Sequence, residues 1–503
     1  MKISIITVFP EIFEPFLNTS LVKRAVDQRL IEVQLIKFSQ LCPLKERIDE
    51  ATAGPGSGMI IKPALIEAGI AQAEQRWGKG FNIFFTPQGK RLDQPLLHNL
   101  KAKIFAGTPL ISPDQVKDGS RINVRDDKEL EEDTLNNTQL HPIANSVIPD
   151  ADPRSSTSSS SEQPHLIIVS TRYEGIDARA EATFADEIIS IGDYVLMGGD
   201  LPAQVFLEAF LRLIPGIVGS QESVDHESFS GALLDHPQYG QTITWREQTV
   251  PDIVKSGNHL AIANWRREEA CKNTLLKRFD WFREHNPTPA ELKLAQKIIP
   301  NHYVVLMHSE IVLKGGAVGT SSVASLDIHD IARSSATFGL KGYFLVTKLE
   351  DQAQLVNTFL DFWKSHDGKE YNKNRYQAMH SVQTASSIDE VIEKITQIEN
   401  AAPLMIATCA RKQQLQTPQI DYHSQGTVWA HNRPVLFIFG TAHGLSSSII
   451  ERCDYLLLPV NGMTSYNHLS VRSAAAVIFD RWFGLNEKLY GSIHFSHSEK
   501  HSP

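Results

Sequence analysis

Four loops in the first half of the sequence combine glycines with charged or hydroxyl-bearing residues. Three of them, TPQGKRLDQ (86–94), TRYEGID (171–177) and IGDYVLMGGDLPA (191–203), follow apolar runs, and the fourth is AGPGSGM (53–59). Ligands bind beyond the carboxyl ends of parallel strands, and glycine lets the backbone approach a ligand closely. None of the four fits GxGxxG or GxxxxGK[ST]. The pattern therefore predicts a ligand pocket and disfavours a nicotinamide enzyme or a P-loop NTPase.

The segments between these loops predict an α/β fold. Apolar runs such as KISIITVF, FNIFFT and HLIIVS alternate with segments of helical spacing, which is typical of a parallel sheet covered on both faces. A second series of the same kind, including HYVVLMH and PVLFIFG, follows Pro300. We expect two mostly parallel sheets, joined by a small helical domain over residues 216–297.

Composition limits the class of protein. The chain has 503 residues, of which 42% are hydrophobic and 21% charged, so more than one globular domain is expected. No apolar run reaches the ~18 residues of a membrane span. Four cysteines, far apart and without a CxxC pair, argue against a zinc site or a disulfide framework. We expect a cytoplasmic protein with no membrane association and no structural metal site.

The charge is unevenly distributed along the chain. The formal net charge is −9, but residues 106–164 hold eleven Asp and Glu against five Lys and Arg. The average therefore does not exclude a nucleic-acid partner. This segment is rich in Ser, Asp and Pro without an apolar period, which predicts a disordered insertion. It could be a passive loop or a segment that binds a partner or is phosphorylated. Residues 491–503 are predicted to form a disordered tail.

Six ordered motifs carry a resemblance to a known family. TPQGKRLDQ, RYEGID, SIGDYVLMGGDLPA, RLIPGIVG, ESFSGALLDHPQY and VPDIVKSGNH resemble motifs of the bacterial tRNA (guanine-N1)-methyltransferases, which belong to the SPOUT superfamily of trefoil-knotted methyltransferases. The resemblance covers residues 1–105 and 165–295. It implies a knotted domain over residues 1–215, a helical tRNA-binding domain over 216–297 and a homodimer through the first domain. It also implies methyl transfer from S-adenosylmethionine to N1 of the guanine at position 37 of tRNA, 3′ of the anticodon. A requirement for Mg²⁺ stays open.

The resemblance also implies which residues line the methyl-donor pocket. Backbone amides of its loops would bond the adenine edge, and apolar side chains would enclose the ring. For Glu174, a structural salt bridge is the alternative to a contact with the ligand. The implied lining residues are Thr86, Pro87, Gly89, Thr171, Arg172, Tyr173, Glu174, Ile191, Gly192, Tyr194, Leu196, Gly198 and Gly199.

Methylation of guanine N1 defines two further roles. The departing N1 proton needs a carboxylate base, and the charge that develops on O6 needs a cation or hydrogen-bond donor. The resemblance places these roles on Glu227 and Arg212. Ser223 and Asp235 would contact the target nucleotide. The family has Asp where this chain has Glu227, and Asp225 is an alternative base.

Two other functions remain open at this level. If the longer Glu227 side chain misplaces its carboxylate, the chain would be a donor- and tRNA-binding scaffold whose activity resides in the C-terminal domain. A small-molecule α/β enzyme without an RNA partner is the third possibility. A basic helical segment favours RNA: its cations are Arg266, Arg267, Lys272, Lys277, Arg278 and Arg283, with Trp265, Phe279 and Trp281 between them.

The second half carries loops of its own. ATCARK (407–412), FIFGTAHGLSSSI (437–449) and YLLLPVNGMTSYNHLSVRSAAAVIFDRWFG (455–484) resemble an uncharacterised SPOUT-type RNA methyltransferase domain, which we place at residues 301–490. Such loops indicate a donor site but name no substrate. His443 could be catalytic or could simply cap its loop. The implied donor-site residues are Gly440, Thr441, His443, Gly444, Asn467 and Leu469, with Thr408, Leu456, Asn461 and Tyr466 beside them.

Overall fold

The computed structural model describes residues 1–54, 58–106, 163–219, 227–410 and 416–486. The chain divides into two compact units, Met1–Asp225 and His226–Pro503, and each is described by itself. Nearly all of the predicted insertion and all of the predicted tail lie outside the described residues. The three-domain division expected from the sequence stays a prediction. In the structure, the described helices between residues 252 and 298 belong to the same unit as the second sheet.

The first unit is built on a parallel five-stranded sheet. Its strands are β1 (Lys2–Thr7), β2 (Glu32–Lys37), β5 (Phe81–Arg91), β6 (His165–Val169) and β7 (Glu187–Ser190), in the order β2-β1-β6-β5-β7. Every neighbouring pair is parallel. Two short strands, β3 (Asp49–Ala51) and β4 (Met59–Ile61), form a separate antiparallel ribbon. The predicted parallel α/β sheet is therefore confirmed.

Helices bury both faces of this sheet. They are α1 (Phe13–Leu17), α2 (Ser20–Asp27), α3 (Phe38–Leu41), α4 (Pro63–Trp77), α5 (Gln94–Ile104), α6 (Ala178–Phe184) and α7 (Asp200–Leu211). Ile5 and Ile83 face one core, which α1, α2, α5 and α7 cover. Ile6 and Phe84 face the other, which α3, α4 and α6 cover. Since alternate strand residues point to opposite faces, burial on both sides explains the nearly continuous apolar runs.

The second unit holds a larger parallel sheet. Its strands are β10 (His302–Met307), β13 (Gly342–Val346), β14 (Val382–Ala385), β15 (Leu404–Thr408), β16 (Gln419–Ile420), β17 (Val435–Gly440) and β18 (Tyr455–Leu457). Their order is β14-β13-β10-β17-β15-β18-β16, and all pairs are parallel. Small antiparallel ribbons are formed by β8 (Thr244–Trp245) with β9 (Gln248–Thr249) and by β11 (Ile311–Val312) with β12 (Val318–Gly319).

The helices of the second unit fall into two groups along the chain. Before the sheet come α8 (Asp252–Lys255), α9 (His259–Lys277), α10 (Phe279–Glu284) and α11 (Pro289–Ile298). Within and after the sheet come α12 (Ser325–Thr337), α13 (Glu350–Lys364), α14 (His366–Tyr371), α15 (Lys373–Met379), α16 (Ile388–Glu399), α17 (Gln425–Trp429), α18 (Ser447–Glu451) and α19 (Val471–Phe483).

The first group of helices shares one hydrophobic core with the second sheet. Cys271, Leu275 and Phe279 are buried in the same cluster as residues of β10 and β17. Phe279 packs edge-on against Trp429, with ring centroids 4.9 Å apart. A Cβ added to Gly426 would lie 2.0 Å from the carbonyl oxygen of Leu276, so α17 and α9 approach as closely as glycine allows. Helices α9 to α11 are therefore part of the second unit's core.

His302, at the start of β10, joins this core by hydrogen bonds. Its Nε2 lies 3.2 Å from the indole nitrogen of Trp429 and 3.3 Å from that of Trp482, and its Nδ1 lies 2.6 Å from Pro300 O. Indole N–H groups can only donate, so Nε2 accepts from them and Nδ1 carries the hydrogen. The imidazole is thus held neutral. Burial lowers the pKa of His302 to about 3.

This arrangement predicts that acid weakens the second unit. The unfolded pKa is near 6.5, so between pH 6.5 and 3 the unfolded chain binds more protons and stability rises with pH. The contribution is complete above pH 6.5 and is lost below it, by at most about 1.4 kcal/mol per pH unit. Urea unfolding followed by tryptophan fluorescence should show a steeper decline from pH 7 to 5 for the wild type than for His302→Gln. The variant keeps an acceptor for the indoles.

A matched control is His366→Gln, because the His366 side chain is 78% exposed. This variant should keep the wild-type dependence on pH. Equal slopes for the wild type and His302→Gln would contradict the neutral, buried state of His302.

Candidate functional site

Three loops of the first unit converge on one cavity of about 390 Å³. The first is a bulge within β5 and the other two follow β6 and β7, at the carboxyl edge of the sheet. The cavity wall includes the predicted residues Thr86, Pro87, Thr171, Arg172, Tyr173, Glu174, Ile191, Gly192, Tyr194, Leu196, Gly198 and Gly199. The sequence did not single out Phe85, Gln88, Gly175, Ile176, Ala178, Glu181, Ile189, Ser190, Val195 and Pro202, which also line it. The roles of all these residues stay predictions.

Gly89 lies off the wall but shapes the first of these loops. Phe85 and Lys90 both pair with Ile189 of β7, so residues 86–89 bulge out of β5. A Cβ on Gly89 would lie 2.6 Å from the backbone of Ile189. Only glycine therefore lets the chain return to the sheet at this point.

Asp200, the first residue of α7, is the charged centre beneath the loops. It is 1% exposed and accepts hydrogen bonds from Thr7 Oγ1 at 2.7 Å and Ser170 Oγ at 2.5 Å. Arg172 completes the group, with Nε and Nη2 each 2.8 Å from Asp200 Oδ2. Because Thr7 ends β1 and Ser170 follows β6, one carboxylate joins two strand ends, a pocket loop and the start of a helix.

The glycine pair before Asp200 makes room for Arg172. A Cβ on Gly198 would lie 2.4 Å from Arg172 Cδ, so any side chain there would displace the arginine. Gly199 donates its N–H to Thr171 O at 2.7 Å, which closes the loop after β7 onto the loop after β6. The Arg172 guanidinium also lies 5.0 Å from the ring centroid of Phe9. Arg172 is thus braced on several sides.

The neighbouring turn presents Tyr173 and Glu174 at the cavity. Tyr173 has φ +65° and Gly175 has φ +112°, so the two residues form a tight turn. The left-handed backbone conformation at Tyr173 costs free energy, because tyrosine rarely adopts it. The N–H of Glu174 donates to Met59 O at 3.0 Å. Among the described residues, the Glu174 carboxylate takes part in no ion pair, so the salt-bridge alternative has no support there. Glu174 and Glu181 are the two acidic residues of the wall.

The two predicted catalytic residues lie in different units. Arg212 is half-buried and follows α7 in the first unit. Glu227 is half-buried and opens the acceptor loop, our term for residues 227–238 of the second unit. The Glu227 carbonyl accepts from Ser230 N at 3.1 Å and Ser230 Oγ at 2.7 Å. Ser223 and Asp225 lie outside the described residues.

Asp235 lies near the other end of the acceptor loop. Its Oδ1 lies 2.6 Å from His236 Nδ1 and accepts from His236 N at 2.7 Å, while Gln238 Nε2 donates to Oδ2 at 3.3 Å. Partial burial works to raise the pKa of Asp235, but these hydrogen bonds outweigh it and lower the pKa below its ordinary value. Asp235 is therefore a charged acceptor in a polar turn.

Helices α9 and α10 hold the acceptor loop in place. Leu234 N donates to Thr274 Oγ1 at 2.8 Å, and Thr274 is fully buried. Trp281 Nε1 donates to Gly231 O at 2.9 Å, and its ring packs edge-on against Phe229. The loop is thus fixed by side chains of the same helices that share the core of the second sheet.

The basic segment differs in part from the prediction. Arg266, Arg267, Lys272 and Lys277 are exposed, as a phosphate-binding surface requires. Arg278 instead pairs with Asp280 at 3.0 Å. Arg283 Nη1 and Nη2 donate to the carbonyls of Arg481 and Asp480. Phe279 and Trp281, which lie between these cations in the sequence, are buried. Their apolar area stabilises the core instead.

The predicted donor loop of the second unit follows β17. A Cβ on Gly440 would lie 2.6 Å from Leu445 N, and Gly444 has φ +103°, so both positions need glycine. Thr441 Oγ1 donates to Met307 O at 3.0 Å. His443 is exposed, and its N–H donates to Val312 O at 3.0 Å. These contacts tie the loop to β10 and β11.

A second loop, before α19, reaches the neighbouring strand end. Asn467 Nδ2 donates to Ala410 O at 2.6 Å, which joins this loop to the one after β15. Leu469 is half exposed, and Ser470 caps α19 by accepting from Ser473 N at 3.3 Å. The structure thus brings residues from two predicted donor segments to one edge of the sheet. Whether they bind a donor stays a prediction.

Within the described ranges, no group of three or more His, Cys, Asp or Glu side chains is arranged to hold a metal ion. No helix there combines the length and apolarity needed to cross a membrane.

Comparison with known proteins identifies the family. A tRNA (guanine-N(1)-)-methyltransferase of Oleidesulfovibrio alaskensis is 33% identical over 490 residues, which cover 96% of this chain and 99% of the relative. One of Nitratidesulfovibrio vulgaris is 31% identical with the same coverage. The chain belongs to the tRNA (guanine-N1)-methyltransferase family. The resemblance found in the motifs is therefore confirmed.

Two family models match separate parts of the chain. "tRNA (Guanine-1)-methyltransferase TrmD" matches residues 1–105 and 149–284, and "SAM-dependent RNA methyltransferase" matches residues 301–484. A relative from Dictyoglomus turgidum is 32% identical over 299 residues, which make up 59% of this chain but 96% of the relative. Members of the family therefore exist without a second domain of this size.

The Asp200 cluster yields a testable prediction. Asp200→Asn keeps the shape but removes the charge that Arg172, Thr7 and Ser170 share. We expect the free energy of unfolding of the first unit to fall by about 2 kcal/mol, less than for a fully buried pair because Arg172 is partly exposed. Urea denaturation measures this. Asp27→Asn is the control, since its pair with Lys23 is exposed and is worth at most about 0.5 kcal/mol. Equal losses in the two variants would contradict the central role of Asp200.

Proposed function

We propose that the chain transfers a methyl group from S-adenosylmethionine to N1 of the guanine at position 37 of tRNA. The observation that carries the proposal is the convergence of three loops on one cavity at the carboxyl edge of the first sheet. The acceptor loop carries Glu227 and Asp235 and is bonded to α9, which has four exposed cations, and these are features expected for a tRNA substrate. A tRNA substrate also agrees with the cytoplasmic location expected from the cysteine pattern.

The cavity fits the proposed donor in size and chemistry. About 390 Å³ lies within the usual range for a small-molecule site. Glu174 and Glu181 provide carboxylates that suit the cationic ammonium and sulfonium groups of the donor. Ile191, Leu196 and Pro202 provide apolar surface that suits its adenine. When bound, S-adenosylmethionine supplies a methyl carbon attached to a positively charged sulfur.

In this proposal, the residues of the chain manage the charge on the guanine. Glu227 takes the proton that N1 loses, so its carboxylate is the general base. Arg212 stabilises the negative charge that develops on O6. Asp235, kept ionised by its hydrogen bonds to His236, accepts hydrogen bonds from the target nucleotide, and Ser223 contacts the same nucleotide. The Mg²⁺ requirement is tested in the same assay by adding a chelator.

The knot and the homodimer implied by the resemblance remain parts of the proposal. Val195 and Met197 are 85% and 87% exposed, and Leu201 and Val205 lie half exposed on one face of α7. Exposed apolar residues that follow each other in this way favour an interface. A second copy of the chain is the occupant we propose.

The scaffold alternative is not favoured. It required the Asp-to-Glu difference at residue 227 to abolish the first reaction. Two relatives that match almost the full length of the chain bear the name of the methyltransferase, which supports an active first site.

Glu227→Gln tests the proposed base. The amide cannot take the N1 proton, so kcat should fall by about 10² to 10⁴ with little change in the KM for tRNA. The measurement is N1-methylguanine formed on a tRNA transcript, with a transcript carrying adenine at position 37 as the negative control. Glu227→Asp is the matched variant and should keep turnover, because it retains the carboxylate.

Two results would decide against the proposal. Undiminished turnover by Glu227→Gln would remove Glu227 from the base role. Wild-type protein that binds tRNA but forms no N1-methylguanine at saturating donor would favour the scaffold.

A further inference from the structure

The second unit carries donor-type loops whose RNA substrate is open. Thr441 and Gly444 lie in the loop after β17, and Asn467 joins the loop before α19 to the end of β15. The family description for this region names an RNA methyltransferase without a substrate. The position of these loops relative to the acceptor loop bears on that question, because both belong to the same unit.

A continuous chain of contacts connects the two places. The acceptor loop is bonded to α10 through Gly231 O and Trp281 Nε1. Two residues along α10, Arg283 donates to the carbonyls of Asp480 and Arg481, near the end of α19. The N–H of Asn486 in turn donates to Arg283 O at 2.7 Å. These bonds fix α10 at the carboxyl end of α19.

The other end of α19 lies at the donor loops. Ser470 caps this helix, directly after Leu469 and three residues after Asn467. The helix has 13 residues, so it is about 20 Å long at ~1.5 Å per residue. The contact between α10 and α19 and the second donor loops therefore lie at opposite ends of this helix.

The core that links them is rigid enough to hold this spacing. Phe279 packs on Trp429, α17 meets α9 at Gly426 with no room for a side chain, and both helices belong to one buried cluster with β10 and β17. A tether between independent domains would offer no such constraint. An RNA held by the acceptor loop thus meets the second donor loops at a set distance.

We propose that the second domain methylates tRNA as well, at a nucleotide of the same tRNA molecule that the acceptor loop engages. This inference rests on the proposed function of the first site. A ring nitrogen or ribose oxygen of the nucleotide forms a bond to the methyl carbon, the carbon–sulfur bond of the donor breaks, and the sulfur leaves as a neutral thioether. The proton of the nucleotide passes to water.

The experiment uses the full chain, tritiated S-adenosylmethionine and a tRNA transcript with guanine at position 37. Nuclease digestion and mass spectrometry locate each methyl group. The wild type should form N1-methylguanine and a second methylated nucleotide. Glu227→Gln should form only the second. Asn467→Ala should form N1-methylguanine at the wild-type rate, with the second product reduced at least tenfold. Asn357→Ala, an exposed Asn bonded to Thr384, is the matched control and should form both.

Hydrogen exchange provides a readout that is independent of turnover. Amides of residues 458–470 in Glu227→Gln should gain protection when tRNA is added and should not when ribosomal RNA of equal length is added. Absence of this protection overturns the proposal. So does a second methyl group found only in ribosomal RNA, or none at all. Wild-type protein that forms N1-methylguanine alone refutes this inference and leaves the proposed function intact, whereas absence of N1-methylguanine refutes the proposed function.

Discussion

The hydrogen bonds and ion pair of the buried Asp200 carboxylate are the interactions on which the cavity of the first unit depends. The carboxylate receives hydrogen bonds from the ends of two strands and an ion pair from Arg172, so the pocket loops after β6 and β7 share one anchor with the end of β1. Moving a carboxylate out of water costs several kcal/mol unless its partners compensate. The three donors offset that cost only when β1, β6 and α7 are all in place. The pocket is therefore assembled by the same event that completes the sheet.

The sequence was sufficient for the fold class and the pocket loops. Apolar runs on both faces of the strands require a covered parallel sheet, and glycines at strand ends require close backbone approaches, as Gly89, Gly198 and Gly440 show. Both signals are local, so they can be read without knowing distant contacts. Asp200 was missed because its partners, Thr7 and Ser170, lie 193 and 30 residues away. Glu181 was missed for a similar reason, since it lies on a helix that only the fold brings to the cavity.

The helical segment shows where local reading fails. Cations interleaved with Trp281 and Phe279 resemble a nucleic-acid surface, but burial of the rings depends on the second sheet, which starts after residue 300. Sequence spacing cannot distinguish a ring that stacks on a base from one that fills a core. The same limitation hid the role of Arg283, whose hydrogen-bond partners are close to the end of the described chain. The four exposed cations that remain on α9 keep the segment compatible with phosphate contacts.

The shared core of the second unit also sets an order for biosynthesis. Phe279 emerges from the ribosome before Trp429, and Arg283 before the carbonyls of Asp480 and Arg481 that it binds. At roughly 5–20 residues per second, the apolar side of α9 and α10 waits on the order of ten seconds or more for its cover. During that interval the acceptor loop has no settled support, and the exposed rings are a natural target for chaperones. The helical support of the acceptor loop is thus completed last, when the final helix of the described chain closes over its partners.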